Sequence, residues 1–109
     1  MIRFAIALLL LTAQVAVGEA KDRTMSERGH ALASQMCAQC HAIRAIGDSP
    51  HPSAPPFRRL QRLLDFNGFV DRLRDGLTVA HPDMPTFRFS REDARAVAAY
   101  LSSIQQPAQ

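Results

Sequence analysis

Two cysteines and a histidine stand together in the first half of the chain, as a Cys-x-x-Cys-His run formed by Cys37, Cys40 and His41. This run is typical of covalent attachment of a c-type haem. Two thiols three positions apart lie on adjacent turns of a helix and can reach the two vinyl groups on one edge of a porphyrin. The histidine that follows is then carried to the iron as an axial ligand. The spacing therefore predicts one covalently bound haem c and its iron.

Other uses of a Cys-x-x-Cys pair fit the sequence less well. A thioredoxin-like redox pair requires a βαβ context, whereas the flanking residues have helical periodicity. A structural zinc site requires four ligands, and His30, His51 and His81 are too scattered to form a second pair. A disulfide between the two cysteines would close too small a loop to add much stability.

The iron of an electron carrier also needs a second axial ligand, and a methionine thioether raises the reduction potential. Met25 lies before the first predicted helix, in a segment expected to be frayed. Met36 adjoins Cys37, so its side chain is tied to the attachment helix and cannot reach the opposite face of the haem. Met84 remains, and we predict it as the second iron ligand.

The surroundings of Met84 support this choice. The residue lies between Pro82 and Pro85, which restrict the backbone on both sides and favour a stiff, extended segment. A stiff segment can hold a weak ligand at a fixed distance from the iron. His81 is the competing ligand, and coordination by two histidines would lower the potential.

The elements that must position these residues are predicted to be helical. Ser26 is predicted to cap a helix that runs into the Cys-x-x-Cys-His motif. The range 44–56 contains four prolines and is predicted to be a loop, with Ile43 and Ile46 tucked under the haem. A short helix is expected over residues 58–65, with inward side chains at Leu60, Leu63 and Leu64.

Two further helices are predicted toward the C-terminus. One contains Phe69 and ends at Gly76, and residues 81–89 follow as an extended segment. The last helix begins after Ser90, which has an acidic residue three positions later as in a capping box, and it continues to about Ile104. No segment alternates apolar and polar residues as a strand does. The predicted fold class is therefore all-α.

The first 20 residues are organised like a secretory signal peptide. Arg3 supplies a positive start, residues 4–11 form an unbroken apolar run, and small residues follow. Cleavage is expected after Gly18 or Ala20. The apolar stretch of residues 4–17 is shorter than the roughly 17–25 residues of a spanning helix, so no permanent membrane anchor is expected.

Residues 21–109 are predicted to form one exported domain in the periplasm. Export fits the motif, because haem is attached to cysteine thiols on the oxidising, non-cytoplasmic side of the membrane. A Cys-x-x-Cys pair left unmodified there would close to a disulfide. The chain of 109 residues has a net charge of +3. Removal of residues 1–20 would take away one basic residue, Arg3, and one acidic residue, Glu19, and would leave that charge unchanged. So small a domain usually needs an additional stabilising element, and the haem would provide it.

With these pieces placed, the chain from Gly29 to about Leu101 resembles the class I (mitochondrial-type) monohaem cytochromes c of the bacterial periplasm. The resemblance rests on five features: the Cys-x-x-Cys-His motif, Gly29, Ala-Pro-Pro-Phe at 54–57, Met-Pro-x-Phe at 84–87 and Ala-Tyr-Leu at 99–101. It implies a small all-α, cytochrome c-like domain wrapped around one covalent haem.

The resemblance also implies two contacts. The first and last helices are expected to cross closely where Gly29 meets Tyr100. The carbonyl of Pro55 is expected to accept a hydrogen bond from Nδ1–H of His41, which would orient the ring. The chain has no tryptophan to contact the haem propionates, and Arg58 or Arg59 is the candidate replacement.

The function implied is that of a soluble monohaem cytochrome that shuttles single electrons between periplasmic redox partners. Those partners are expected to present acidic docking surfaces, and the protein is expected to be a monomer that binds no nucleic acid. No general base, nucleophile or open metal site is evident, so an enzyme is not predicted. Two alternatives stay open: a dedicated haem subunit of a periplasmic dehydrogenase or oxidase complex, and a ligand-binding or peroxidase-like cytochrome if the Met84 bond is labile.

Overall fold

A computed structural model describes residues 2–77 and 81–107, with side chains described from residue 18 onward. It contains three α-helices and one 3₁₀-helix within those ranges. The helices are α1 (Ile2–Met36), the 3₁₀-helix (Phe57–Arg62), α2 (Phe69–Asp75) and α3 (Arg91–Ser103). No strand occurs in the described residues, and the all-α prediction is confirmed.

Helix α1 begins much earlier than the sequence analysis predicted. It runs without interruption from Ile2 to Met36, so Ser26 lies inside the helix and the prediction that it caps the N-terminus is wrong. The segment before Ser26 contains strong helix formers such as Glu19, Ala20 and Lys21 and no proline, so nothing there stops a helix. Across the described part of the chain, no helix has both the length and the apolar character needed to cross a membrane.

Helices α1 and α3 cross at Gly29. A Cβ atom on Gly29 would lie 1.9 Å from the carbonyl oxygen of Ala96 and 2.7 Å from Cβ of Tyr100. Such distances are far below any real contact, so only glycine allows the two backbones to approach this closely. The predicted packing of Gly29 against Tyr100 is confirmed.

Charged side chains close the edge of the same crossing. The Arg28 guanidinium contacts Glu92 at 2.6 Å and Asp93 at 2.7 Å. The hydrogen bond from Arg28 lowers the pKa of the Asp93 carboxyl below its ordinary value. These contacts join the C-terminal third of α1 to the first turn of α3.

The first turn of α3 is capped as predicted. The Ser90 hydroxyl accepts a hydrogen bond from the backbone N–H of Asp93 at 3.0 Å. The helix then places Ala94, Val97 and Leu101 in the core, and it ends at Ser103, within one residue of the expected position.

The segment after the motif differs in part from expectation. The predicted short helix exists but is a 3₁₀-helix, in which Leu60 is buried as expected. Leu63 follows the last helical residue and is 63% exposed, but both Leu63 and Leu64 line the cavity described below, so their side chains point inward as predicted. Ile43 is buried, whereas Ile46, next to Gly47 with its φ of +95°, is 80% exposed, so the predicted position of Ile46 under the haem is wrong.

Helix α2 matches the prediction, whereas the segment 81–89, predicted to be extended throughout, is extended only after residue 84. The helix ends at Asp75, and Gly76 follows with φ +103°, a conformation that favours glycine. Residues 81–84 form a turn, and the chain then continues in extended form. The Phe89 N–H donates to the carbonyl of Leu73 at 3.1 Å, which fixes the extended segment against α2.

Candidate haem site

The helices surround a cavity of about 570 Å³. Its volume lies in the range of small-molecule and cofactor sites. Residues from α1, the 3₁₀-helix, α2, α3 and the 81–89 segment all contribute to its wall. All four predicted site residues line this one cavity: Cys37, Cys40, His41 and Met84.

Helix α1 delivers the Cys-x-x-Cys-His motif to the cavity wall. The Cys37 N–H donates to the carbonyl of Ala33 at 2.9 Å, so the helical turn continues one residue beyond α1. The N–H groups of Cys40 and His41 then donate to the carbonyl of Cys37 at 3.1 and 2.9 Å. This compact turn places both thiols and the imidazole on the cavity, and both cysteines are free.

Burial raises the pKa of the Cys37 thiol to about 11. The thiol is therefore protonated at neutral pH. Redox-active cysteines of the thioredoxin type have lowered pKa values, because an electropositive environment favours the thiolate. The environment of Cys37 has the opposite effect, and it speaks against the thioredoxin-like alternative.

A hydrogen bond orients the ring of His41. Its Nδ1 lies 2.7 Å from the carbonyl oxygen of Pro55, the contact expected from the family resemblance. The ring also packs against Phe57, with centroids 5.1 Å apart. Because the carbonyl accepts the Nδ1 proton, Nε2 carries a lone pair and is available to bind a metal.

Both candidates for the second axial ligand line the cavity. Met84 is half-buried there, and its N–H donates to the carbonyl of His81 at 3.3 Å. The ring of His81 has other contacts: its Nδ1 accepts from the Asp83 N–H at 3.3 Å, and its edge packs on His51. Because Nδ1 of His81 accepts, the proton of its neutral ring is on Nε2, the nitrogen that would have to bind the iron, and this favours Met84 over His81.

The rest of the wall fits a planar, largely apolar ring system. Leucine, phenylalanine and valine side chains dominate the lining, and a few polar groups lie among them. Two free thiols can form two thioethers, and the imidazole and the thioether are both ligands that haem iron accepts. The donor set of this cavity therefore fits haem c.

The candidates for the propionate contact do not lie in the wall. Neither Arg58 nor Arg59 lines the cavity. Arg58 is buried and donates to the carbonyl of Gly47 at 2.7 Å. Its contact holds the loop that follows the motif.

One residue of the wall was missed from the sequence. The sequence analysis gave His51 no place in the site, but it is half-buried and lines the cavity. Its N–H donates to the carbonyl of Cys40 at 3.1 Å, which ties it to the attachment motif. It lies among four prolines in a segment without periodicity, so no sequence pattern could have indicated its position.

Comparison with known proteins agrees with this geometry. Residues 24–101 match a protein family described as cytochrome c oxidase, cbb3-type, subunit III. The chain belongs to this family. The matched range includes the whole cavity wall, from the end of α1 to Leu101 in α3.

A curated relative supports the same assignment. The chain is 33% identical over 82 residues to a protein named cytochrome c-552 from Bradyrhizobium diazoefficiens, and the match covers 73% of this chain and 77% of the relative. No solved structure matches the chain. The chain is thus a monohaem c-type cytochrome whose haem c is bound covalently, as predicted, and its general role is electron transfer.

Proposed function

We propose that this cytochrome carries single electrons between redox partners in the periplasm, with Cys37 and Cys40 attached to the haem and with His41 and Met84 as iron ligands. The observation that carries the proposal is the convergence of these four residues on one largely apolar cavity. The hydrogen bond between His41 and the Pro55 carbonyl also supports the proposal, because it leaves Nε2 of His41 free for the iron.

The haem supplies the one-electron couple, and the residues of the chain keep its surroundings constant. The Pro55 carbonyl holds the His41 ring in place and increases its basicity as a ligand. Apolar side chains exclude water from the cavity, which affects the reduction potential. If His41 and Met84 held the iron in both oxidation states, electron transfer would need little rearrangement of the chain, and no enzymatic step is proposed.

The proposed location requires export. Residues 1–20 would act as the signal peptide and residues 21–109 as the periplasmic cytochrome domain. N-terminal sequencing of the protein recovered from the periplasm tests this. Glu19 or Lys21 is expected as the first residue, and a chain that begins at Met1 would contradict cleavage.

Docking is proposed to be electrostatic and brief. The net charge of +3 favours partners with acidic surfaces. Small, weak interfaces suit the rapid exchange of electrons, and the cytochrome is proposed to act as a monomer. Electron transfer to an acidic partner is therefore expected to slow as ionic strength rises.

The family description favours a second candidate function, in which the domain is a haem subunit of an oxidase complex. The chemistry of the haem would be the same, but the interface would be permanent. Size-exclusion chromatography of the detergent extract and of the periplasmic fraction separates the two. A free carrier elutes from the periplasmic fraction as a monomer, whereas a subunit elutes with its complex.

The ligand assignment is tested by visible and near-infrared spectra of the oxidised and reduced protein. Methionine bound to ferric iron gives a weak near-infrared band. We expect this band in the natural protein and in the control Met25→Leu, and we expect its loss in Met84→Ala. If Met84→Ala left the spectra unchanged, His81 or an open site would replace Met84 in the proposal. An open site would also bind carbon monoxide in the reduced protein at neutral pH.

A further inference from the structure

Two histidines and a carboxylate lie together in the wall of the haem cavity: His51, His81 and Asp83. Nε2 of His51 lies 3.5 Å from Oδ2 of Asp83. The rings of His51 and His81 meet edge to face, with centroids 5.5 Å apart and an interplanar angle of 88°. Neither the electron-carrier role nor the haem attachment assigns a task to this group.

The contact joins two segments that are distant in the sequence. His51 belongs to the loop after the attachment motif, and its N–H donates to the carbonyl of Cys40 at 3.1 Å. Asp83 directly precedes Met84, whose N–H donates to the carbonyl of His81 at 3.3 Å. The contact therefore connects the segment of one proposed iron ligand to the segment of the other.

A hydrogen bond from the backbone fixes the His51 ring in the tautomer that its contact with Asp83 needs. Nδ1 of His51 accepts from the N–H of Ser53 at 3.1 Å, so the proton of the neutral ring is on Nε2. That nitrogen is the one that lies 3.5 Å from Oδ2 of Asp83. The attraction consequently exists with a neutral ring, because the acceptor is charged.

The geometry points to the pair His51 and Asp83 as a latch that holds the Met84 segment closed over the haem. His51 is then a positioning residue for the sixth iron ligand. This inference rests on the proposed function, since it requires Met84 to bind the iron. The His51 side chain is 30% exposed and that of Asp83 is 68% exposed, so the latch is expected to change the open population of the segment by only about two- to fivefold.

Imidazole binding to the oxidised, haem-loaded protein measures that open population. Imidazole competes with Met84 for the iron, so its apparent affinity rises in proportion to the fraction of molecules in which the segment is open. We expect His51→Ala and Asp83→Asn each to tighten imidazole binding by about two- to fivefold. The control Asp48→Asn changes an exposed loop carboxyl and is expected to leave the affinity unchanged.

Two further variants test the pairing itself. His51→Gln retains a side-chain N–H donor, and we expect it to restore most of the natural affinity. The double variant His51→Ala/Asp83→Asn is expected to bind imidazole no more tightly than the stronger single variant, because both changes remove the same contact. If the double variant instead tightened imidazole binding by the product of the two single effects, the latch would be overturned.

Met84→Ala separates the two proposals. If it tightens imidazole binding strongly while His51→Ala and Asp83→Asn do not, the latch is wrong and the ligand assignment stands. If Met84→Ala has no effect on imidazole binding, Met84 is not the ligand and the latch falls with it. The denaturation midpoint of each variant is measured in parallel. A general loss of stability would lower the midpoint, and His51→Gln would then not restore the natural imidazole affinity.

Discussion

The imidazole of His41 owes its orientation to a hydrogen bond that uses only one of its two nitrogens. The Pro55 carbonyl accepts from Nδ1 at 2.7 Å, and Nε2 remains available to bind a metal. A single backbone carbonyl thus determines both the tautomer and the direction of the proposed iron ligand. At the scale of residues, the fold works through a few such bonds between side chains and distant backbone groups.

Tyr100 provides the second bond of this kind. Its hydroxyl donates to the carbonyl of Ile43 at 2.6 Å, in a buried contact that ties α3 to the residues just after the motif. Tyr100→Phe would leave that carbonyl without a partner, and we expect a loss of about 1–3 kcal/mol in the free energy of unfolding. Chemical denaturation of the haem-loaded protein measures this loss. Ser102→Ala, an exposed change on the same helix, is the control and is expected to have no comparable effect.

Tyr100 is also expected to make the free energy of unfolding depend on pH in the alkaline range. Burial raises the pKa of the Tyr100 phenol above its ordinary value of 10.0. The folded state therefore favours the protonated phenol, so this contribution is complete below pH 10 and is lost as the pH rises through the raised pKa. Tyr100→Phe is expected to remove this part of the alkaline loss. An unchanged alkaline profile in the variant would contradict the assignment.

At the scale of elements, the crossing of α1 and α3 determines where the motif lies. Helix α1 ends at Met36, directly before Cys37, so its position against α3 fixes the position of both thiols. The close approach at Gly29 is what makes this crossing possible. A change there should act on the whole cavity.

Gly29→Ala tests the importance of that approach. The new Cβ atom would lie 1.9 Å from the carbonyl oxygen of Ala96, which is backbone and cannot move without shifting α3. We expect destabilisation of at least about 1–3 kcal/mol, measured by denaturation and accompanied by a lower yield of haem-loaded protein. Gln35→Ala, at an exposed position on the same helix, is expected to stay within about 0.5 kcal/mol of the natural protein. Equal stability of Gly29→Ala would show that the helices do not cross as described.

The success of sequence reasoning differed between elements for physical reasons. Ser90 and Gly76 were predicted correctly because caps and helix ends depend on local chemistry. The start of α1 was predicted wrongly because a possible cap at Ser26 does not end a helix whose preceding residues also favour helix.

The site was predicted to a similar degree. The residues of the motif and Met84 converge on one cavity as expected, because their types and spacing carry the chemistry. The place of His51 could not be predicted, since its contact with Asp83 joins two segments that are distant in the sequence.

At the scale of the whole molecule, the cavity lies where a larger protein would have its core. At about 24 cal/mol per Å³, an empty cavity of 570 Å³ would cost at most about 14 kcal/mol. This is comparable to the whole stability of an ordinary domain, about 5–15 kcal/mol. The haem is therefore a structural part of the fold as well as its redox centre.

Removal of the attachment points is expected to abolish cooperative folding. We expect the exported double variant Cys37→Ser/Cys40→Ser to lose most of its cooperative thermal transition, followed by circular dichroism. Met84→Ala, which keeps both thioether attachment points, is the matched control and should retain a cooperative transition at a lower midpoint. A haem-free variant with the natural thermal transition would show that side chains alone fill the core.

The central claim is that one haem is joined to the chain through Cys37 and Cys40. The most direct measurement is the intact mass of the exported protein under denaturing conditions, followed by peptide mapping. The account predicts a chain that carries the mass of one haem, resistant to extraction by acidic acetone and located on the peptide with residues 37–41. A chain with the mass of the polypeptide alone, or a haem that the solvent extracts completely, would contradict it.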